Sequence, residues 1–153
     1  MTLPVPHFLQ EQVVSCIPAC VRMILAYIDV NRIEIELSAV LEIERRGTSV
    51  LNIELLQETG LDITVWTGEM DADELKQSLD QGVPAIAAVW TAALPYWTEN
   101  RPHAVVIVGY DEKSVYLNDP KLREAPQSVS WKDFLGAWEE FGRFSAVIKK
   151  IMP

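Results

Sequence analysis

The stretch Gln10-Glu-Gln-Val-Val-Ser-Cys16-Ile-Pro-Ala-Cys20-Val-Arg-Met-Ile-Leu-Ala-Tyr-Ile28 decides the reading of this chain. Apolar residues recur at Ile17, Cys20, Val21, Ile24, Leu25 and Ile28, the period of an α-helix. Met23, Ala26 and Tyr27 fill most of the remaining surface, and Arg22 is the only charged residue between Cys16 and Ile28. A helix apolar on nearly every side is a central one, packed against more than one neighbour. Ser15 or Cys16 falls at its N-cap region, and Pro18 sits in the first turn, where a missing N–H matters little. Cys16 therefore stands at a helix N-terminus, where unpaired N–H groups and the helix dipole favour a thiolate nucleophile. The plainer role is a small apolar side chain filling a helix end, and the rest of the chain has to decide between them.

Upstream, residues 3–9 read as an extended lead-in, because Pro4 and Pro6 disfavour helix before them; His7 belongs to its surface. Downstream, Glu34 to Glu44 reads as an amphipathic helix through Ile35, Leu37, Val40, Leu41 and Ile43, stopped at Arg45-Arg46-Gly47. Thr48 or Ser49 caps a third helix over Val50 to Glu58, closed by Gly60; Ile63–Trp66 is a short strand; Asp71 opens a fourth helix that Gly82 ends. The second half is richer in strands: Val83–Trp90, His103–Tyr110, Val115–Asn118 and Phe144–Ile151, with one short helix over Trp131–Trp138. The expectation is a single α+β domain over residues 1–153, helical to about residue 80 and sheet-rich from about 81. In it, the helix bearing Cys16 packs on an antiparallel sheet.

Two side chains in that sheet region change the odds for Cys16. His103 opens a strand and Asp119 follows the next one, in Asn118-Asp119-Pro120. If the turn lies at 111–114 and positions summing to about 222 face each other, His103 and Asp119 are cross-strand neighbours. A carboxylate beside an imidazole fixes its tautomer and stabilises its cation, which is the base half of a catalytic triad. Trp90, Tyr96 and Trp97 flank the loop before His103, Tyr96 and Trp97 looking exposed, and Trp97 is a candidate for lining a substrate groove.

With these residues in view, the chain resembles the bacteriocin-processing peptidases, papain-like cysteine peptidases that cut double-glycine leader peptides ahead of peptide-exporting transporters. It is also similar to their stand-alone relatives. The family's Gln six residues before the nucleophile corresponds to Gln10, and its Cys-Gly-x-Ala-Cys helix start to Cys16, Ala19 and Cys20. Its His and Asp, sixteen residues apart, correspond to His103 and Asp119, with Gly109 and Asn118-Asp119-Pro120 also matching. The resemblance implies a papain-like fold and a peptide or protein substrate. Cys16 is then the nucleophile, His103 the base, Asp119 its orienting acid, and Gln10 an oxyanion donor with the Cys16 N–H. One departure stands out: Ile17 replaces the usual Gly after the nucleophile, where a branched side chain narrows or reshapes the substrate cleft. That substitution also keeps open an inactive or altered homologue acting as a peptide-binding module.

Composition excludes other classes. A net charge of −9 argues against nucleic acid and anionic lipid as partners. No signal-peptide pattern and no apolar run of spanning length is present, so a cytoplasmic location is expected, with any transporter a separate partner. Cys16 and Cys20, four apart on one helix, are poorly placed for a disulfide. A zinc site from Cys16, Cys20, His7 and His103 lacks a zinc spacing, so no metal or other cofactor is expected. A transferase or deamidase would use the same triad.

Overall fold

The computed structural model describes residues 2–41 and 49–151. Its elements run α1 (Cys16–Tyr27), α2 (Glu34–Val40), a 3-10 helix (Val50–Thr59), β1 (Ile63–Glu69), α3 (Ala72–Asp80), β2 (Ala85–Trp90), β3 (Pro102–Tyr110), β4 (Ser114–Asn118), β5 (Gln127–Ser130), α4 (Trp131–Glu140) and β6 (Phe144–Lys150). The strands form one antiparallel sheet in the order β1-β6-β2-β3-β4-β5.

The sheet is covered on both faces. Ile86, Ala88, Ala104, Val106 and Val108 share a core with α1, α2 and the 3-10 helix. Their neighbours in the same strands, Ala85, Ala87, Val89, Val105 and Ile107, pack with α3 and α4 on the other side. This explains why β2 and β3 are continuous apolar runs rather than alternating ones. It also refines the expected split into halves. α3, in the helical first part, lies across the sheet from α1, and β1 joins the same sheet as its edge strand.

α1 is as central as its sequence implies: Ile17 to Val21, Met23, Ile24 and Leu25 are all buried. Arg22 escapes by stacking its guanidinium on Phe8, 3.9 Å from the ring centre. Leu37 in α2 and Leu41 just after it are buried, whereas Ile35 is exposed. The expected continuation of that helix, its stop at Gly47 and the Thr48 cap lie outside the described residues. Ser49 does cap the following segment, accepting from Leu51 N–H, and left-handed Gly60 ends it, but the segment is a 3-10 helix rather than an α-helix. α3 opens on a full capping box between Asp71 and Glu74.

The β3–β4 hairpin corrects the expected register. Tyr110 faces Val115 and Gly109 faces Tyr116, and beyond a bulge between Ile107 and Gly109, Val106 faces Asn118. Partners thus sum to 225 and then 224, not 222, because Tyr110 and Val115 pair directly across the turn and the bulge absorbs one residue. Strand β5, which follows β4 at the sheet's other edge, has no counterpart among the expected elements.

Candidate active site

The head of α1 is shaped by the turn before it. Ser15 is the N-cap residue, yet its hydroxyl caps nothing. It accepts from Gln12 N–H at 2.9 Å and lies 3.0 Å from both Gln12 O and a carboxylate oxygen of Glu34. That leaves Cys16 as the first helical residue, half-buried and lining a cleft of about 600 Å³. The same cleft is lined by Gln10, Ile17, Trp97 and His103, so five of the six residues singled out in the sequence meet there. The sixth, Asp119, is fully buried behind His103.

Asp119 does not stand opposite His103 in the ladder. It follows the last residue of β4 and reaches His103 diagonally, His103 Nε2 donating to Asp119 Oδ1 at 2.7 Å. Cys16 lines the same cleft, near enough to the imidazole to help stabilise its cation. Nε2 is committed to the carboxylate, which leaves Nδ1 as the ring atom able to exchange a proton with a group in the cleft.

Burial works against charging His103. Hydrogen bonds and charge from Asp119 and Cys16 outweigh it, and the imidazolium pKa is pushed up to about 9. Burial likewise opposes charge on Asp119, but the bond from His103 and the His103 charge, with further bonds from Lys121 N–H and Trp97, hold its carboxyl below the usual carboxylate range.

The acid is held by more donors than the hairpin alone supplies. Asp119 Oδ1 accepts from His103 and from Lys121 N–H at 2.9 Å; Oδ2 accepts from Tyr96 OH at 2.8 Å and Trp97 Nε1–H at 2.9 Å. Trp97 also meets the His103 ring edge-on, with centroids 4.8 Å apart. Tyr96 and Trp97 are therefore half-buried clamps on the acid rather than exposed loop aromatics, and Trp97 lines the cleft as well. The aromatic pair in a Pro-containing loop is the only sequence signal for this; a contact across 22 residues carries none.

The lead-in is a strap, and His7, half-buried, is one of its ties. Leu3 N–H bonds Val108 O, Asn118 Nδ2 bonds Val5 O, His7 Nε2 bonds Asp119 O and Gln10 N–H bonds Pro120 O. This brings Gln10 to the cleft. Its amide N–H2 donates to Gln12 O at 2.8 Å and Val13 O at 3.0 Å, while Oε1 is buried without a partner. Exchanging O and N would set the oxygen against two carbonyls, so the hydrogen-bond pattern fixes the orientation. The resting donors thus point into the turn that carries them.

Ile17 is 3% exposed: it belongs to the core and forms part of the cleft floor. Cys20 is fully buried, and burial first, then the nearby Cys16 and Asp119, pushes its thiol well up. It is an inert packing residue. Among the described residues no three His, Cys, Asp or Glu side chains cluster as a metal site, and no helix is long and apolar enough to cross a membrane.

A helix presenting a cysteine across a cleft from a histidine on an antiparallel sheet is the architecture of papain-like cysteine peptidases. The model of the Peptidase C39 family matches residues 4–144, and the chain belongs to that family. Similar solved structures agree. A C39-like peptidase from Bacillus anthracis is 18% identical, with 97% of each chain covered and a TM-score of 0.77. A double glycine motif protease from an AMS/PCAT transporter, solved in complex with the leader peptide, is 18% identical over 97% of this chain and 94% of that one, at a TM-score of 0.75. The peptidase domain of Streptococcus ComA, a bi-functional ABC transporter, is 16% identical over 94% and 97%, at 0.76. None of the curated proteins compared with the sequence matches it.

Proposed function

We propose that this protein is a cysteine peptidase that cleaves peptide bonds through Cys16, His103 and Asp119. The observation that carries the reading is the His103–Asp119 bond of 2.7 Å, buried behind a cleft whose other wall is the helix N-terminus bearing Cys16. The Cys16 thiol passes its proton to His103 Nδ1, and sulfur attacks the carbonyl carbon. The Cys16 N–H, which has no partner within α1, and the Gln10 side chain receive the oxyanion. For Gln10 this means trading one turn carbonyl, Val13 O being the more distant, for the substrate oxygen. His103 then gives the proton to the leaving amine, and water, with His103 as base, hydrolyses the thioester.

The substrate in this reading is an extended peptide, a leader segment being the candidate suggested by the relative solved with one. A transporter is the candidate partner, and the cytoplasm, which keeps Cys16 reduced, the place of action. A peptide-library assay on the intact protein and Cys16→Ala side by side tests it. Cleavage by the first alone is expected; cleavage by neither sinks it.

The engaged donors of Gln10 and the filled floor at Ile17 favour a second reading, a peptide-binding module. It predicts peptide binding equal in both proteins with no cleavage by either.

A further inference from the structure

One buried carboxylate takes no part in the chemistry above. Glu34, the first residue of α2, is 2% exposed, and no cation pairs with it among the described residues. Its two oxygens accept Glu11 N–H at 3.1 and 2.9 Å, and one of them is 3.0 Å from the Ser15 hydroxyl. Glu11 is the residue after Gln10, and Ser15 the residue before Cys16. The carboxylate therefore grips both ends of the turn that joins the two proposed oxyanion donors.

The grip extends to the Gln10 side chain. Ser15, held by Glu34, bonds Gln12 N–H through its hydroxyl and donates its own N–H to Gln12 O at 3.3 Å. Gln12 O is in turn the closer acceptor of the Gln10 amide. A continuous path of hydrogen bonds thus runs from Glu34 through Ser15 and Gln12 to Gln10. We propose that Glu34 is a positioning residue for the oxyanion hole, its carboxyl group fixing the turn that aims Gln10 and sets the first N–H of α1. This rests on the hydrolase reading and adds to it a residue on a separate element, α2, that touches no substrate.

The charge state supports a role beyond packing. Burial raises the Glu34 pKa, against lowering by the Glu11 N–H, the Ser15 hydroxyl and the Arg22 cation, with the Glu11 carboxylate adding to the rise. For a carboxyl raised in the fold, the contribution to stability is present below the unfolded pKa and declines as pH rises through the folded one. The fold disfavours charge on this carboxyl, so a neutral isostere is not expected to unfold the protein.

The test separates turnover from thiol reactivity. Iodoacetamide reacts with Cys16 by displacement at a saturated carbon and needs no oxyanion hole, whereas peptide cleavage does. In Glu34→Gln, kcat should fall about tenfold to hundredfold with KM little changed, and the Cys16 alkylation rate should stay within about twofold of the original. Ser15→Ala, which removes one link of the path, should give a smaller loss of the same kind. The acid limb of turnover in the unaltered protein should carry a contribution from Glu34 that is missing in Glu34→Gln. Unchanged kcat in both variants, or equal loss of turnover and alkylation, overturns the assignment of Glu34. Absence of both turnover and alkylation in the unaltered protein overturns the hydrolase reading beneath it.

Discussion

Replacing Asp119 by asparagine exchanges one oxygen for an amide nitrogen and should make activity depend on pH in a defined way. Each carboxylate oxygen faces two donors, His103 and Lys121 N–H on one, Tyr96 OH and Trp97 Nε1–H on the other. The His103 ring and the Tyr96 hydroxyl can change roles and accept from an amide; the Lys121 and Trp97 N–H groups cannot. In Asp119→Asn, either orientation of the new amide therefore sets its N–H2 against one fixed N–H, at a cost of about 1–3 kcal/mol. The larger effect is on the base. The rise of His103 from 6.5 to about 9 is worth about 3 kcal/mol of imidazolium stabilisation, won against burial. Without the carboxylate, burial remains with only Cys16 to oppose it, and the His103 pKa should fall to about 6.5 or lower. At pH 8 the imidazolium population then drops roughly thirtyfold, and at pH 6 by less than about twofold. The assay is kcat/KM from pH 5 to about 10 on the best peptide of the library, with His103 titrated by NMR. An alkaline limb still near 9 in Asp119→Asn, with equal losses at both pH values, would refute the reasoning.

The same geometry makes four other claims open to measurement. Tyr96→Phe and Trp97→Phe each remove a donor to the charged acid, and each should lower kcat/KM about fivefold or more and move the alkaline limb, since a bond to a charged group is worth about 1.5–3 kcal/mol. The raised His103 pKa stabilises the fold fully below about pH 6.5, and that contribution is lost as pH rises through about 9; denaturant unfolding should show about 3 kcal/mol of decline across this window, flattened in His103→Ala. Brief alkylation of the native protein should modify Cys16 and spare Cys20, which reacts only in denaturant, as mass spectrometry of the peptides will show. Ile17→Ala should lose about 2–4 kcal/mol of stability and admit bulkier residues at the cleft floor, read by thermal unfolding and by the library profile.

The parts of the site that sequence discloses are those written in local pattern. α1 is legible because its apolar residues run round the whole helix, and that alone places Cys16 at a buried helix head. β3 is legible as an apolar run, and Asp119 as the residue after its hairpin partner. The register is not, because Gly109 is the one local cue to the bulge beside Val108, and a lone glycine in a strand does not say how far the pairing shifts. The Tyr96 and Trp97 clamp depends on a loop folding back on Asp119, a contact that no periodicity encodes. Glu34 reads as an ordinary acidic residue in a helix's first turn; only the packing of α2 against the turn at residues 10–15 shows it to be buried. The 3-10 geometry of Val50–Thr59 is equally silent, since its Ser cap and terminal Gly suit either helix.

The claim on which the account turns is that the Cys16 sulfur and the His103 imidazole act as one unit. The rate at which a thiol-directed, peptide-like probe labels Cys16, compared between the unaltered protein and His103→Ala at pH 6, measures this directly. The account predicts rapid labelling in the first and a loss of about 10²-fold in the second; equal rates in the two proteins would contradict it.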